Sequence, residues 1–178
     1  MILYWARTTA AITVIPVLLW TSGLDAQEEI EQRGFANVQE PNFVLEIGPA
    51  AEWPLHGERA NYGGNIALEK EAIETWLELE FGVSGLATSG RGELSADLLF
   101  KKPFQLSPDL EFFIGLGPEI GHAFTGSDRG TSARVEFSTE LMFLPRSGIG
   151  WYVEPAFSVA PGTGRNAFSL TGGFAIAF

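Results

Sequence analysis

The chain has 178 residues, enough for one domain, with 22 acidic against 11 basic side chains and a net charge of −11. That charge excludes a nucleic-acid binder, because phosphate contacts need basic patches. With no cysteine, disulfides and thiolate metal sites are excluded as well.

Residues 1–26 have the form of a secretory signal peptide. Arg7 gives a positive start, Ala10 to Trp20 an apolar run, and Leu24-Asp25-Ala26 a cleavage site before the polar Gln27-Glu28-Glu29. Its loss removes Arg7 and Asp25 and leaves the net charge unchanged. Residues 27–41 are polar and acidic, end at Pro41, and read as a periplasmic tail. No later stretch approaches the roughly 20 apolar residues of a membrane helix, so any crossing of a membrane must use strands.

From residue 42 to 178, eight alternating segments follow one another. The first, Asn42 to Trp53, sets Phe43, Leu45 and Ile47 against Val44, Glu46 and Gly48. A polar loop with His56 and Arg59 leads to the second, Tyr62 to Lys70, where Ile66 and Leu68 oppose Ala67 and Glu69. After a turn near Glu71–Glu74, the third segment opposes Leu77, Leu79, Phe81 and Val83 to Trp76, Glu78, Glu80 and Gly82. The Ala87–Arg91 loop precedes the fourth, Gly92 to Phe100, with Leu94, Ala96, Leu98 and Phe100 against Glu93, Ser95, Asp97 and Leu99. Lys101-Lys102-Pro103 and Ser107-Pro108-Asp109 then read as a turn, with Lys101 at the rim.

The fifth segment, Leu110 to Ala123, opposes Phe112, Ile114, Leu116 and Ile120 to Glu111, Gly115, Gly117, Glu119 and Gly121. The sixth, Ser132 to Leu144, opposes Val135, Phe137, Leu141 and Phe143 to Arg134, Glu136, Ser138 and Glu140. The seventh, Ile149 to Val159, opposes Trp151, Val153 and Phe157 to Tyr152, Glu154 and Ser158. In the last, Phe168, Leu170, Phe174, Ile176 and Phe178 share one face, and only small residues occupy the other. Segments of about ten residues match the ~9–11 of a tilted membrane strand. Trp53, Trp76, Phe100, Phe143, Trp151 and Phe178 suit an aromatic girdle, and Pro49, Pro118 and Pro155 suggest bulges or bends.

The expected fold is an all-β, eight-stranded antiparallel up-and-down transmembrane β-barrel. Strand count, alternation and the final Phe178 resemble the small bacterial outer-membrane barrels of the OmpA, OmpX and OmpW type. The resemblance implies residence in the bacterial outer membrane with lipid as the partner. Periodicity alone leaves the faces open, however. A soluble periplasmic, lipocalin-like barrel with an apolar ligand would show the same alternation, with inside and outside exchanged.

In the membrane reading, Glu46, Glu78, Glu80, Asp97, Glu111, Glu119, Arg134, Glu136, Glu140 and Glu154 form a polar network in the lumen. Crowded carboxylates must pair, share protons or meet water. The expectation is a plugged, acidic, structural or narrowly cation-passing barrel, since carboxylate oxygens suit small hard cations. His56 and His122, with Glu52 or Asp128, could form an outer-face metal site, although no spacing demands one. No cofactor motif is present and no enzyme is expected. Lipid A deacylases of the PagL type carry a Ser two residues after their His, whereas Ala123 and Phe124 follow His122 here.

Overall fold

The computed structural model describes residues 43–55, 59–125, 129–161 and 166–178. Residues 1–42, with the expected signal segment and tail, lie outside the described residues, as do His56 and Asp128. Eight strands run β1 (Val44–Pro54), β2 (Asn61–Ile73), β3 (Leu77–Thr88), β4 (Arg91–Ser107), β5 (Leu110–Thr125), β6 (Arg129–Phe143), β7 (Ile149–Val159) and β8 (Ala167–Ala177). Each pairs antiparallel with its neighbours in sequence, and β1 pairs with β8 to close the barrel. Closure removes the exposed edges that an open sheet would present. At the seam, the Phe43 and Phe178 backbones exchange hydrogen bonds of 3.1 and 3.0 Å, and their rings stack at 6.0 Å.

The alternation resolves in one direction. Phe81, Leu116, Ile120, Phe137, Phe174 and their neighbours in phase face outward and are exposed, while Glu46, Glu69, Glu80, Glu140 and Glu154 are buried inside. Large apolar groups outside and charges inside invert a soluble protein, and they match a barrel whose solvent is lipid. The soluble alternative required an apolar cup and outward carboxylates, so the structure overturns it. A direct check is Leu116→Arg, at a side chain 55% exposed on the outer face. In a bilayer it should cost ~2–4 kcal/mol, read as a lower urea midpoint of the refolded barrel; a soluble barrel would scarcely respond.

Several sequence expectations need correction. Lys101-Lys102-Pro103 do not turn: β4 continues for 17 residues to Ser107, and the turn follows at Pro108-Asp109. β2 runs on to Ile73, which leaves Trp76 in the turn and exposed rather than inward. Ala87 and Thr88 belong to β3, so the β3–β4 turn is Ser89-Gly90 alone, with Gly90 at a φ of 79°. Phe100 lies within β4, between Leu79 and Leu116, and not at a strand end.

The strand prolines cause no bulge. Pro49, Pro118 and Pro155 each pair on one side, with Gly64, Val135 and Leu170. On the other side the ladder skips two residues and resumes in the same register. A proline has no N–H to donate, so it loses a rung without displacing the strand. The register shifts that do occur lie between Glu71 and Ile73 and between Gln105 and Ser107, both near hairpin ends.

Candidate functional site: two ion-pair layers in the lumen

The lumen is filled in layers. Nearest the end that carries Phe43 and Phe178, inward Val44, Phe113, Met142, Tyr152 and Ala175 make a buried apolar cluster, with Leu144 and Ala177 against it. Among these, Phe113, Met142 and Tyr152 are 1–2% exposed.

Above it sits Lys101, fully buried at 0% exposure. Strand continuity turns its side chain inward, and its ladder partner on β5 is Gly115, which leaves room for the lysine stem. Its ammonium forms ion pairs with Glu80 and Glu140, reaches Glu154 Oε2 at 3.2 Å and stands 3.7 Å from Glu69 Oε1. The Phe113 ring centroid lies 5.8 Å away, so the ammonium bridges the apolar and acidic layers. These carboxylates come from β2, β3, β6 and β7 and converge on β4. Taking charges out of water costs several kcal/mol per ion, and one ammonium among four carboxylates offsets part of that cost, the rest falling to shared protons.

A second layer, toward the opposite mouth, is built on Arg134 of β6. Its guanidinium forms an ion pair with Glu119, donates to Glu52 Oε2 at 3.2 Å and to Glu93 Oε1 at 2.8 Å. Asn61 Nδ2 donates to Glu52 Oε1 at 3.0 Å, tying β2 into the same layer. The planar fork of arginine suits several carboxylates at once, whereas an ammonium acts as a point charge.

Between the layers lies a cavity of about 40 Å³, lined by Asn65, Ser84, Asp97, Glu136, Ser158 and Thr171 among others. That is room for a water molecule or two. The Ser158 hydroxyl lies 2.8 Å from Glu119 Oε2 and 3.1 Å from Glu136 Oε2, and so links this cavity to the Arg134 layer. Asp97 uses the space above Gly82, where an added Cβ would stand 2.6 Å from its Oδ1.

Of the residues singled out from sequence, Glu80, Glu140 and Glu154 meet at Lys101, and Glu119 meets Arg134. Glu136 joins through Ser158, and Asp97 lines the cavity. Glu46 is buried beside the Lys101 layer. Glu78 and Glu111 are half-buried on the inward phase near the Phe43–Phe178 end. Sequence reasoning misjudged Lys101, the centre of the first layer, as a rim residue. It also left Glu52, Glu69 and Glu93 out of the network; Glu52 was reserved for a metal site with histidine. The structure places Glu52 inside with Arg134, apart from His122, while His56 lies outside the described residues. His122 belongs to the outward phase of β5, where Nδ1 lies 2.9 Å from Thr131 Oγ1 and the ring meets Phe124 edge-on at 4.7 Å.

No protein-family model matches this chain, and no curated protein matches it in sequence. Among solved structures, the barrel is similar to Ail, the attachment invasion locus protein of Yersinia pestis, at 14% identity and a TM-score of 0.61. It is also similar to neisserial surface protein A, at 12% and 0.63, and to the N-terminal β-barrel domain of OprF from Pseudomonas aeruginosa, at 13% and 0.57. Each match covers 79% of this chain and 100% of the other. The fold is that of the small outer-membrane barrels. At such identities the likeness concerns architecture, and the two ion-pair layers are described from this chain's own residues.

Proposed function

We propose that this protein is a bacterial outer-membrane barrel whose lumen is closed by its own side chains, with a structural role in the membrane rather than that of an open pore. The observation that carries this reading is Lys101, at 0% exposure among Glu69, Glu80, Glu140 and Glu154 and backed by the Phe113–Met142–Tyr152 layer. Eight strands enclose about enough space for side chains, and here side chains use it. Residues 1–26 serve as the export signal and 27–41 as a periplasmic tail, with the barrel end that carries Phe43 and Phe178 on the periplasmic side. Lipid is the partner of the outer face. The opposite-side connections are brief: six residues between β1 and β2, two between β3 and β4, three between β5 and β6, and seven between β7 and β8. They offer little surface for a macromolecular partner, which favours a role within the membrane over adhesion.

A second reading, narrow passage of small cations, draws on the excess of carboxylates over Lys101 and Arg134 along the lumen. Planar-bilayer recording of the refolded protein separates the two. The closed reading expects no discrete conductance steps from the wild type. Cation-selective steps in the wild type would replace it with the second.

A further inference from the structure

The Lys101 layer holds more negative charge than its lysine balances. Lys101 supplies one positive charge to Glu69, Glu80, Glu140 and Glu154, and Glu46 stands beside them at 1% exposure. Glu46 forms no ion pair with Lys101, and its Oε1 is buried with no hydrogen-bond partner among the described residues. One carboxylate oxygen from each of Glu46, Glu80, Glu140 and Glu154 lies within 4.8 Å of the others. A calcium ion binds oxygens at ~2.3–2.6 Å, so ligands on opposite sides of it stand up to about 5 Å apart; the shorter ~2.0–2.1 Å bonds of magnesium would demand a tighter cage. An unpaired buried carboxylate is strongly unfavourable as an anion at this depth, and either a proton or a counter-charge relieves it.

We propose that Glu46, Glu80, Glu140 and Glu154 form a binding site for a calcium-sized hard divalent cation, which competes with the Lys101 ammonium that pairs with three of the four. This rests on the closed-lumen reading above. Glu69 makes the exchange feasible. Both of its carboxylate oxygens are buried without a hydrogen bond, and it stands 3.7 Å from the Lys101 ammonium. For the ion to enter, the ammonium must leave Glu80, Glu140 and Glu154 for Glu69, the remaining carboxylate beside it, and the four-carboxylate cage then passes to the ion. The ion supplies the charge that Glu46 lacks, and Lys101 keeps a partner throughout. Glu46 on β1, Glu80 on β3, Glu140 on β6 and Glu154 on β7 would then be cross-linked through a single ion across the barrel.

The test uses the full mature barrel refolded in detergent micelles, stripped with a chelator and titrated with calcium chloride and then magnesium chloride in a calorimeter. Folding of every sample is checked on the same day by its shifted migration on a gel without boiling. The expected result is calcium binding near one ion per barrel, weaker for magnesium, reduced at least tenfold in Glu46→Gln. Lys101→Met, which removes the competing ammonium, should bind calcium more tightly and regain urea resistance when calcium is added. A folded wild type without calcium binding overturns the cation site and leaves the closed barrel standing. Equal binding in folded Glu46→Gln also overturns it, because the ion is then held elsewhere. A wild type that never shows heat-dependent migration would instead strike at the barrel reading itself.

Discussion

Lys101→Met, measured in chelator, is expected to lose ~3–5 kcal/mol of stability, the cost of breaking a buried ion pair by removing one partner. The magnitude follows from what is left behind. Glu80, Glu140 and Glu154 would stay in the lumen with their shared cation gone, at 1–6% exposure, beside a cavity with room for no more than a water or two. The measurement is the urea midpoint of the refolded barrel, followed by tryptophan emission and by the migration of unboiled protein. Glu80→Gln is the informative partner variant. It removes one negative charge from a layer with an excess of them and keeps the side-chain volume, so it should cost far less than Lys101→Met. An unchanged midpoint for Lys101→Met would mean that the carboxylates are neutral in the folded barrel and that the lysine does not hold the layer together.

Gly117→Ala is the second large effect, and its cause is backbone rather than charge. Gly117 precedes Pro118 at a gap in the β4–β5 ladder, and a Cβ placed there would overlap the Leu98 carbonyl oxygen. The obstacle is main chain, which cannot rotate away, so the two strands must separate where they already lack a rung. The expected cost is about 3 kcal/mol, the upper part of the overpacking range. Gly85→Ala supplies the comparison: its Cβ would meet nothing within 4 Å, and it pairs with Gly64 on the lipid face. That variant should fold with a midpoint close to the wild type. If both glycines respond alike, the effect lies in the unfolded chain and not in the strand contact.

The same two positions mark how far the sequence could be read. Gly117-Pro118 announced an irregular place in β5, since a strand proline always leaves one ladder position without a donor. Whether the strand bulges or merely drops a rung depends on the neighbouring register, which is a property of the pair. Here the register on both flanks of the gap agrees, and no bulge forms. Lys101 was misjudged for a related reason. Two lysines and a proline in succession carry the local signature of a turn, and nothing within β4 contradicts it. The β4–β5 hairpin nevertheless extends beyond them, with Pro103 paired to Phe113 and Phe104 to Phe112. Ladder contacts and the Phe104–Phe112 ring pair at 6.3 Å outweigh the local turn preference.

The sequence by itself determined that the chain forms eight strands with two unlike faces, because side chains on a strand alternate with a period of two and that period is written residue by residue. The β7 bounds, Ile149 to Val159, and the phase of Glu80, Glu119, Arg134, Glu140 and Glu154 came from it directly. Closure decided which face turned inward, by wrapping the carboxylates around a lumen and leaving Phe81, Leu116 and Phe174 outside. Only the tertiary structure decided which charges meet. Lys101 finds Glu154 across 53 residues of chain, and Arg134 finds Glu52 across 82. Those meetings depend on the height of each residue along its tilted strand and on the register of eight ladders together, and no local pattern encodes them.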